Sequence, residues 1–394
     1  MTGNEESQKY DRKSFLIHDF CLRENLRTYD PYDIWKTSQG IWVKNLFNTS
    51  RLLGALPALA LTLYDQLINN NIRLGYKKQE YPIVRALAAQ TLLSEYKRLN
   101  SGNLLEGAEI HLRWLEENAS KGYSGACWGL GFRWSAFKNV VYDENTPHTT
   151  HTPYALEAFH LFTQITGNSK FVELIKSCFM YYEKDVCVMY EDDRMMAVSY
   201  GPFKDKTVTN ASSYTLYAYS IFLDYFPEMR EYILNKMQKL YRFIVANQMS
   251  DGSWFYSPDN NSFIDCFHSC IIVKNLIKTN INEKIEGIEA IINNGWKYIS
   301  EQFFNSEYGL YKRFTKKNKL SLTKFDLYDN AEVLNLTNLI GDNKKAKELD
   351  AAIDCYFINS KNIYSVIDYF AIKRNKNTLR WAVMPYLYAL SGIK

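Results

Sequence analysis

Between residues 153 and 391 the chain alternates short and long connectors between segments of helical periodicity, and that rhythm restricts the fold more than any other feature. The short connectors are Thr166-Gly-Asn-Ser169, Phe226-Pro227, Asn280 to Asn282 and Gly341-Asp-Asn343, and the long ones span 185–210, 249–263, 304–325 and 358–377. A short connector folds two helices into an antiparallel hairpin; a long one carries the chain to the next hairpin. The repeat is about 55 residues, the signature of stacked units that bury their apolar faces only against neighbours. Helices are expected at 14–27, 51–69, 82–99, 103–119, 153–166, 169–184, 211–225, 228–248, 264–279, 283–303, 326–340, 344–357 and 378–391, with no convincing set of alternating strands. About twelve helices make six hairpins, which close into an all-α (α/α)6 toroid. Open helical solenoids repeat at about 34–47 residues and lack the long alternate loops. One toroid domain is expected over residues 1–394, with 1–13 as a flexible N-terminal tail.

Composition narrows the function classes. With 46% hydrophobic and 23% charged residues the chain has an ordinary globular balance, so disorder is excluded as its main state. A net charge of +4 spread over 394 residues, with only short basic runs, argues against a nucleic-acid partner. The seven cysteines are odd in number, scattered and free of C-x-x-C, which suits reduced thiols in the cytoplasm. The polar, acidic start MTGNEESQKYDRKS reads as no secretory leader. The most apolar stretch, Leu52 to Leu63, is about twelve residues where a membrane span needs about twenty, so no transmembrane segment is expected. Thirty Tyr, 22 Phe and 8 Trp exceed a core's needs and point to a lined cleft for a flat-faced ligand such as a sugar; biased codon usage would give the same excess.

In a toroid of this kind the first helix of each hairpin lies inside, and the inner N-termini emerge at one rim. His148 and His151, Asn210, Asp265 and His268, Asp326 and Asp329, and Arg380 with Trp381 fall there, under long loops that hold Trp128, Trp134, Tyr200, Trp254 and Tyr256. Thr152-Pro153 is a helix start, so His148 and His151 sit in the extended segment before it. Their H-x-x-H spacing suits zinc only with a third ligand, so acid–base catalysis or sugar hydrogen bonding is the expected use. Asp265 and His268, three apart, share a helix face, whereas Cys266 and Cys270 face elsewhere and read as packing. Asp326, in T-x-x-D with Thr323, reads as a helix cap, and Asp329 one turn deeper is the better acid or base, near Asp265 across adjacent inner helices. Arg380 could clamp an anionic group or form an ion pair. In Tyr29-Asp-Pro-Tyr-Asp33, Tyr29 and Asp33 are either sugar contacts or parts of a capped turn. No P-loop, dinucleotide fingerprint or G-x-S-x-G is present, and neither metal nor cofactor is expected.

Several segments together resemble a family of bacterial (α/α)6-toroid proteins of capsule, exopolysaccharide and lipopolysaccharide biosynthesis. They are Tyr29 to Asp33, Asn145-Thr-Pro147 with Thr149 to Ala155, Thr166-Gly-Asn168, Asn247 to Tyr256, Ile264 to His268, and Arg380-Trp-Ala382 before Tyr386. The resemblance covers residues 25–392 and adds Asn145 to the candidate substrate contacts. It departs where members open the fifth inner helix with Asp-x-His-Ser; here the chain reads Asp326-Leu-Tyr-Asp-Asn330 and lacks the histidine. The resemblance implies a role in surface-glycan assembly on a sugar, oligosaccharide or activated, lipid-linked glycan, with contact to the assembly machinery. The toroid is shared with sugar epimerases, glucuronyl hydrolases and polysaccharide lyases, and QDGSW-like turns also occur in terpene cyclases. The sequence therefore leaves hydrolase, lyase and epimerase open for an enzyme using His148, His151, Asp265, His268 and Asp329. A non-catalytic glycan-binding protein on the same toroid is the alternative, and a terpene-cyclase-like enzyme a remoter one.

Overall fold

A computed structural model describes residues 2–204, 206–258, 262–317, 321–359 and 362–393, with backbone only for 2–11. Its helices are α1 (Thr2–Cys21), α2 (Ser38–Thr49), α3 (Arg51–Leu63), α4 (Asn70–Ile72), α5 (Pro82–Leu99), α6 (Gly102–Glu117), α7 (Thr152–Thr166), α8 (Val172–Lys184), α9 (Thr209–Phe222) and α10 (Arg230–Ala246). After them come α11 (Cys266–Asn282), α12 (Ile288–Tyr298), α13 (Leu327–Ile340), α14 (Asn343–Phe357) and α15 (Met384–Ser391). Two sets of six form concentric rings. The inner set packs in the order α5, α7, α9, α11, α13, α15, and α15 returns against α5, so the ring closes. Outside it, α6, α8, α10, α12 and α14 each lean on the inner helix before them in the chain, and α1 fills the sixth place between α5 and α15. This is the (α/α)6 toroid.

Burial separates the rings. Every residue of α9 from Thr209 to Phe222 is buried, whereas α10 buries one stripe, Ile233, Met237, Leu240, Tyr241, Phe243 and Ile244. A helix enclosed on all sides tolerates few charges, and one lying on the outside needs a single apolar face. The charges that do enter the inner ring are paired: Lys274 with Glu332 at 2.7 Å and Lys278 with Glu157 at 2.5 Å, all four buried. Local chemistry sets the ends. Pro82 and Pro153 sit in the first turns of α5 and α7, and Asp265 and Asp326 cap α11 and α13 by accepting the backbone N–H of His268 and Tyr328. Gly167 and Gly341, at φ +67° and +83°, end α7 and α13 in the left-handed conformation that makes the short hairpin turns.

The structure corrects three expectations. The long connectors are not strand-free: they hold antiparallel ribbons, 134–137 with 140–142, 188–191 with 196–198, and 323–326 with 362–368 and 373–376. Strands of three to seven residues carry too little alternation to be read alone. Helix α1 already occupies the region expected as a tail, and Lys13 lies buried 3.7 Å from Glu95. Helix α2 was not foreseen, and α3 continues through a π-turn (Tyr64–Asn69) into α4. That run, Arg51–Ile72, is 22 residues, long and apolar enough to cross a membrane by length and composition.

A closed ring has no frayed end. Leu387→Ala on α15 is predicted to cost about 2–5 kcal/mol, as much as Leu87→Ala on α5, within one cooperative urea transition. An early, separate transition in the Leu387 variant would instead indicate an open stack.

Candidate active site

Five inner helices and the π-turn leading into the sixth deliver residues from their N-terminal ends to one cavity of about 410 Å³. Ile83 comes from α5, Tyr154 from α7, Asn210 and Tyr214 from α9, Phe267, His268 and Ile271 from α11, and Tyr328 from α13. Arg380 and Trp381 come from the π-turn Leu379–Val383 that leads into α15. Loop residues complete the wall: Trp134, Tyr142, His148, His151, Tyr200 and Tyr256. Among the described residues no Asp or Glu lines it.

The histidines occupy two parts of this wall. His148 Nδ1 lies 3.0 Å from the Thr146 carbonyl, which can only accept, so Nδ1 carries the hydrogen and Nε2 is the basic nitrogen. Burial lowers the ring to about 4, keeping it neutral at pH 7. The His151 ring, 5.7 Å from that of His148, is also pushed down, by burial first and then by the nearby His148 and Arg380. His268 is held differently: its Nδ1 is 2.8 and 2.9 Å from the two carboxylate oxygens of Asp265, so it too presents Nε2. The same carboxylate caps α11, which fixes the Asp265 rotamer as well as the ring. Tyr200 and Tyr256 join the two parts through hydroxyls 2.8 Å apart; the Tyr256 ring lies 4.7 Å from His268 and the Tyr200 ring 6.4 Å from His148. Tyr328 stacks on Trp381 at 4.6 Å and 17°, forming an aromatic platform.

The acids expected at the mouth stand behind this wall. Asp329 is fully buried, accepting the Phe267 backbone N–H at 3.0 Å and Arg313 Nη1 at 3.2 Å. Arg313 also holds Asp326 at 2.8 Å, and Trp381 Nε1 donates to Asp326 at 3.0 Å. Burial raises the Asp329 carboxyl well above the usual range, because one guanidinium does not offset its neighbours Asp326 and Asp265. Asp329 therefore fixes α11 to α13 and does not reach a ligand. Arg380 lines the cavity but is mostly engaged: its Nε and Nη2 grip the buried Asp30, with Nη2–Oδ1 at 3.0 Å. Among the described residues no hydrogen bond falls on its Nη1. Asp30 must ionise against burial, and Arg380 and Lys36 hold it well below the usual carboxylate range.

Nine of the residues that the sequence places at the mouth meet in the cavity: His148, His151, His268, Trp134, Tyr200, Asn210, Tyr256, Arg380 and Trp381. Asp265 and Asp329 support them from behind. Five do not reach it. The Trp128 and Trp254 indoles are core wedges whose Nε1 atoms donate to the Leu115 and Ile244 carbonyls at 2.9 and 3.0 Å. Asn145 is an exposed staple on the Lys121 backbone. Tyr29 lies under Arg73 and Lys78, and Asp33, raised to about 6 by burial, pairs with Lys36 at 3.2 Å. Tyr142, Tyr154, Tyr214, Phe267 and Tyr328 are contacts that sequence reasoning missed. Tyr154, Tyr214 and Tyr328 all fall within six residues of an inner-helix start, the signal that would have found them. Among the described residues no group of three His, Cys, Asp or Glu is set to hold a metal ion; Cys266 and Cys270 lie buried with sulfurs 3.9 Å apart.

No family model and no curated protein matches this chain. Solved structures do. A sugar epimerase from a ruminal bacterium superposes with a TM-score of 0.60 at 14% identity, over 80% of this chain and 87% of that one. An α-mannanase from Bacteroides thetaiotaomicron gives 0.58 at 11%, over 92% and 97%, and a polysaccharide lyase 0.55 at 9%, over 90% and 97%. At these identities the likeness establishes the fold: the chain is an (α/α)6 toroid of the six-hairpin glycosidase-like kind.

Two outcomes follow from the electrostatics. Asp30→Asn strands the buried Arg380 charge and is predicted to cost about 3–5 kcal/mol in a urea melt. His148 and His111, both lowered to about 4 by burial, bind protons near 6.5 once unfolded. The unfolded state therefore gains protons first, so stability is full above about pH 6.5 and is lost progressively toward pH 4. His148→Gln should flatten that acid slope by up to about 3 kcal/mol in thermal melts between pH 7 and 4.5.

Proposed function

We propose that the chain is a carbohydrate-active enzyme that moves a proton at a sugar carbon, in the manner of an epimerase. The observation that carries this reading is a cavity whose acid–base groups, among the described residues, are histidines on two parts of the wall, with no described carboxylate between them. Hydrolysis of a glycosidic bond ordinarily uses two carboxylates flanking the bond, and here Asp265, Asp326 and Asp329 are turned away into hydrogen bonds. A neutral His148 can take the proton from a carbon next to a carbonyl. The C–H electron pair then moves onto the carbonyl oxygen, and Arg380 Nη1 and the tyrosine hydroxyls are donors for it. His268, once Nε2 has taken up a proton from solvent, delivers it to the other face of the carbon as the electron pair on the oxygen returns to re-form the carbonyl. Solvent removes the proton held by His148. The Trp381–Tyr328 platform and Trp134 suit the apolar faces of a pyranose. Structural neighbours named as a sugar epimerase and a polysaccharide lyase support a sugar substrate. A cytoplasmic role in surface-polysaccharide biosynthesis, with contact to its assembly machinery, is part of the proposal and rests on the sequence motifs alone.

A non-catalytic glycan-binding protein is the second reading, favoured by Tyr328 standing where the resembled family carries histidine. Proton NMR in D2O with reducing disaccharides and uronate oligosaccharides separates the two. The proposal expects deuterium to enter beside the carbonyl. His148→Asn or His268→Asn should then lower the exchange rate by about 10²–10⁴ with the melting temperature nearly unchanged. New reducing ends without exchange would mean a hydrolase, and line broadening without chemistry a binding protein.

A further inference from the structure

Helices α2 and α3 stand outside both rings. They form a hairpin so tight that a Cβ on Gly54 would lie 2.2 Å from the Phe47 Cα. The surface that α3 and its continuation turn outward is apolar: Leu52 is 89% exposed, Leu56 75%, Leu67 64% and Ile72 67%. Only 17% of the apolar window in Arg51–Ile72 is buried, the reverse of a core helix. Phe370, 73% exposed, and Ile372 project from the ribbon that touches the far end of this run. A soluble monomer rarely leaves so large a contiguous apolar face to water.

The charges around the face select its occupant. From Ile34 to Gln79 the exposed cations are Arg51, Lys77 and Lys78, with Lys44 half-buried, while Lys36 is buried against Asp30 and Asp33 and Arg73 on Asn375. The single anion in this stretch is Asp65. Asp65 is buried and accepts a hydrogen bond from the Tyr76 hydroxyl at 2.5 Å. Arg51, Lys77 and Lys78 are exposed at the two ends of the apolar run, and Arg27 and Arg23 share a polar recess with the lysines. A second copy on the same face would bring like charges together, whereas anionic lipid headgroups would complement them. Crossing the bilayer is excluded by the way the run is held. At its far end Asn70 and Arg73 bond the Asn375 side chain at 2.9 and 2.8 Å, and Arg374 bonds the Gln66 carbonyl. At its near end α2 is tied to the ribbon beside the cavity, Asn48 to Ser135 at 3.3 Å and Asn45 to the Asn139 N–H at 3.1 Å. A helical run about 33 Å long with both ends fastened to one body lies in a leaflet and does not span two.

We propose that this hairpin docks the protein onto an anionic membrane surface. Because the hairpin adjoins the ribbon carrying Trp134, docking brings the cavity to the headgroup level, where a lipid-linked glycan presents its sugar; that consequence alone rests on the sugar reading above. The test reads docking without turnover. Purified protein is floated with vesicles of phosphatidylcholine, with and without phosphatidylglycerol, alongside the triple variant Leu56→Ser, Leu59→Ser, Leu67→Ser. These leucines are exposed, so the variant should melt like the wild type. The wild type is expected to float with the phosphatidylglycerol vesicles and to be released by high salt, and the variant to bind at least about tenfold less. On the wild type itself, brominated acyl chains should quench the fluorescence of Trp42, 64% exposed on α2, a component that Trp42→Phe lacks. No flotation with anionic vesicles, flotation that the variant retains, or a dimer that the variant dissolves in the absence of lipid binding would each overturn the proposal.

Discussion

Arg380 and Asp30 meet across the seam where the first and last parts of the chain complete the ring, 350 residues apart in sequence. The contact is bidentate and buried, and the Leu379 N–H reinforces it by donating to Thr28 Oγ1 at 3.0 Å. It matters beyond stability because the π-turn it anchors carries Trp381, which touches the Tyr328 and Phe267 rings and the Asp326 carboxylate. A guanidinium buried among Tyr32, Tyr81 and Phe132 is costly unless its partner stays ionised, and Lys36 helps to keep it so. Ring closure, the position of the aromatic platform and the shape of the cavity thus share one ion pair.

Around that seam the molecule sorts its charges by depth. Carboxylates are drawn back into capping and ion-pairing work, where Arg313 bridges Asp326 and Asp329 and Asp265 serves both helix and imidazole. Imidazoles, tyrosine hydroxyls and the edge of the Arg380 guanidinium are what the cavity presents. The proposed proton transfer calls for a surface that does not oppose a developing negative charge, and the buried Lys274–Glu332 pair, with Lys274 3.3 Å from the Tyr154 hydroxyl, makes the floor beneath it rigid and polar.

Local features were legible in the sequence and non-local ones were not. Connector lengths disclosed the hairpins, Pro153 marked the start of α7 and the three-residue spacing joined His268 to Asp265, because each depends on one helix. His148 and His151 lie in a hydrogen-bonded turn and not in the extended segment expected, and His151 rather than Thr152 is the N-cap. Asp329 was read as a catalytic acid because helical spacing points it inward; the partner that claims it, Arg313, comes from a long loop with no period to read. Asp30 was passed over within Tyr29 to Asp33 because its partner lies at the other end of the chain. Trp128 and Trp254 were expected at the mouth because they lie in long loops, yet an indole in such a loop is as easily folded back as projected, and here both donate to the carbonyl of a preceding helix. The apolarity of Leu52 to Leu63 was plain, but not that the fold would leave it uncovered and extend it to Ile72.

The central claim is that one cavity, walled by three of the six histidines, is where a sugar binds. Long-range ¹H–¹⁵N spectra of histidine-labelled protein, with and without a reducing oligosaccharide mixture, test it most directly. The account predicts that His148, His151 and His268 shift together while His18, His111 and His160 stay in place. Sugar binding seen by calorimetry that moves His111 or His160, or none of the cavity rings, would contradict it.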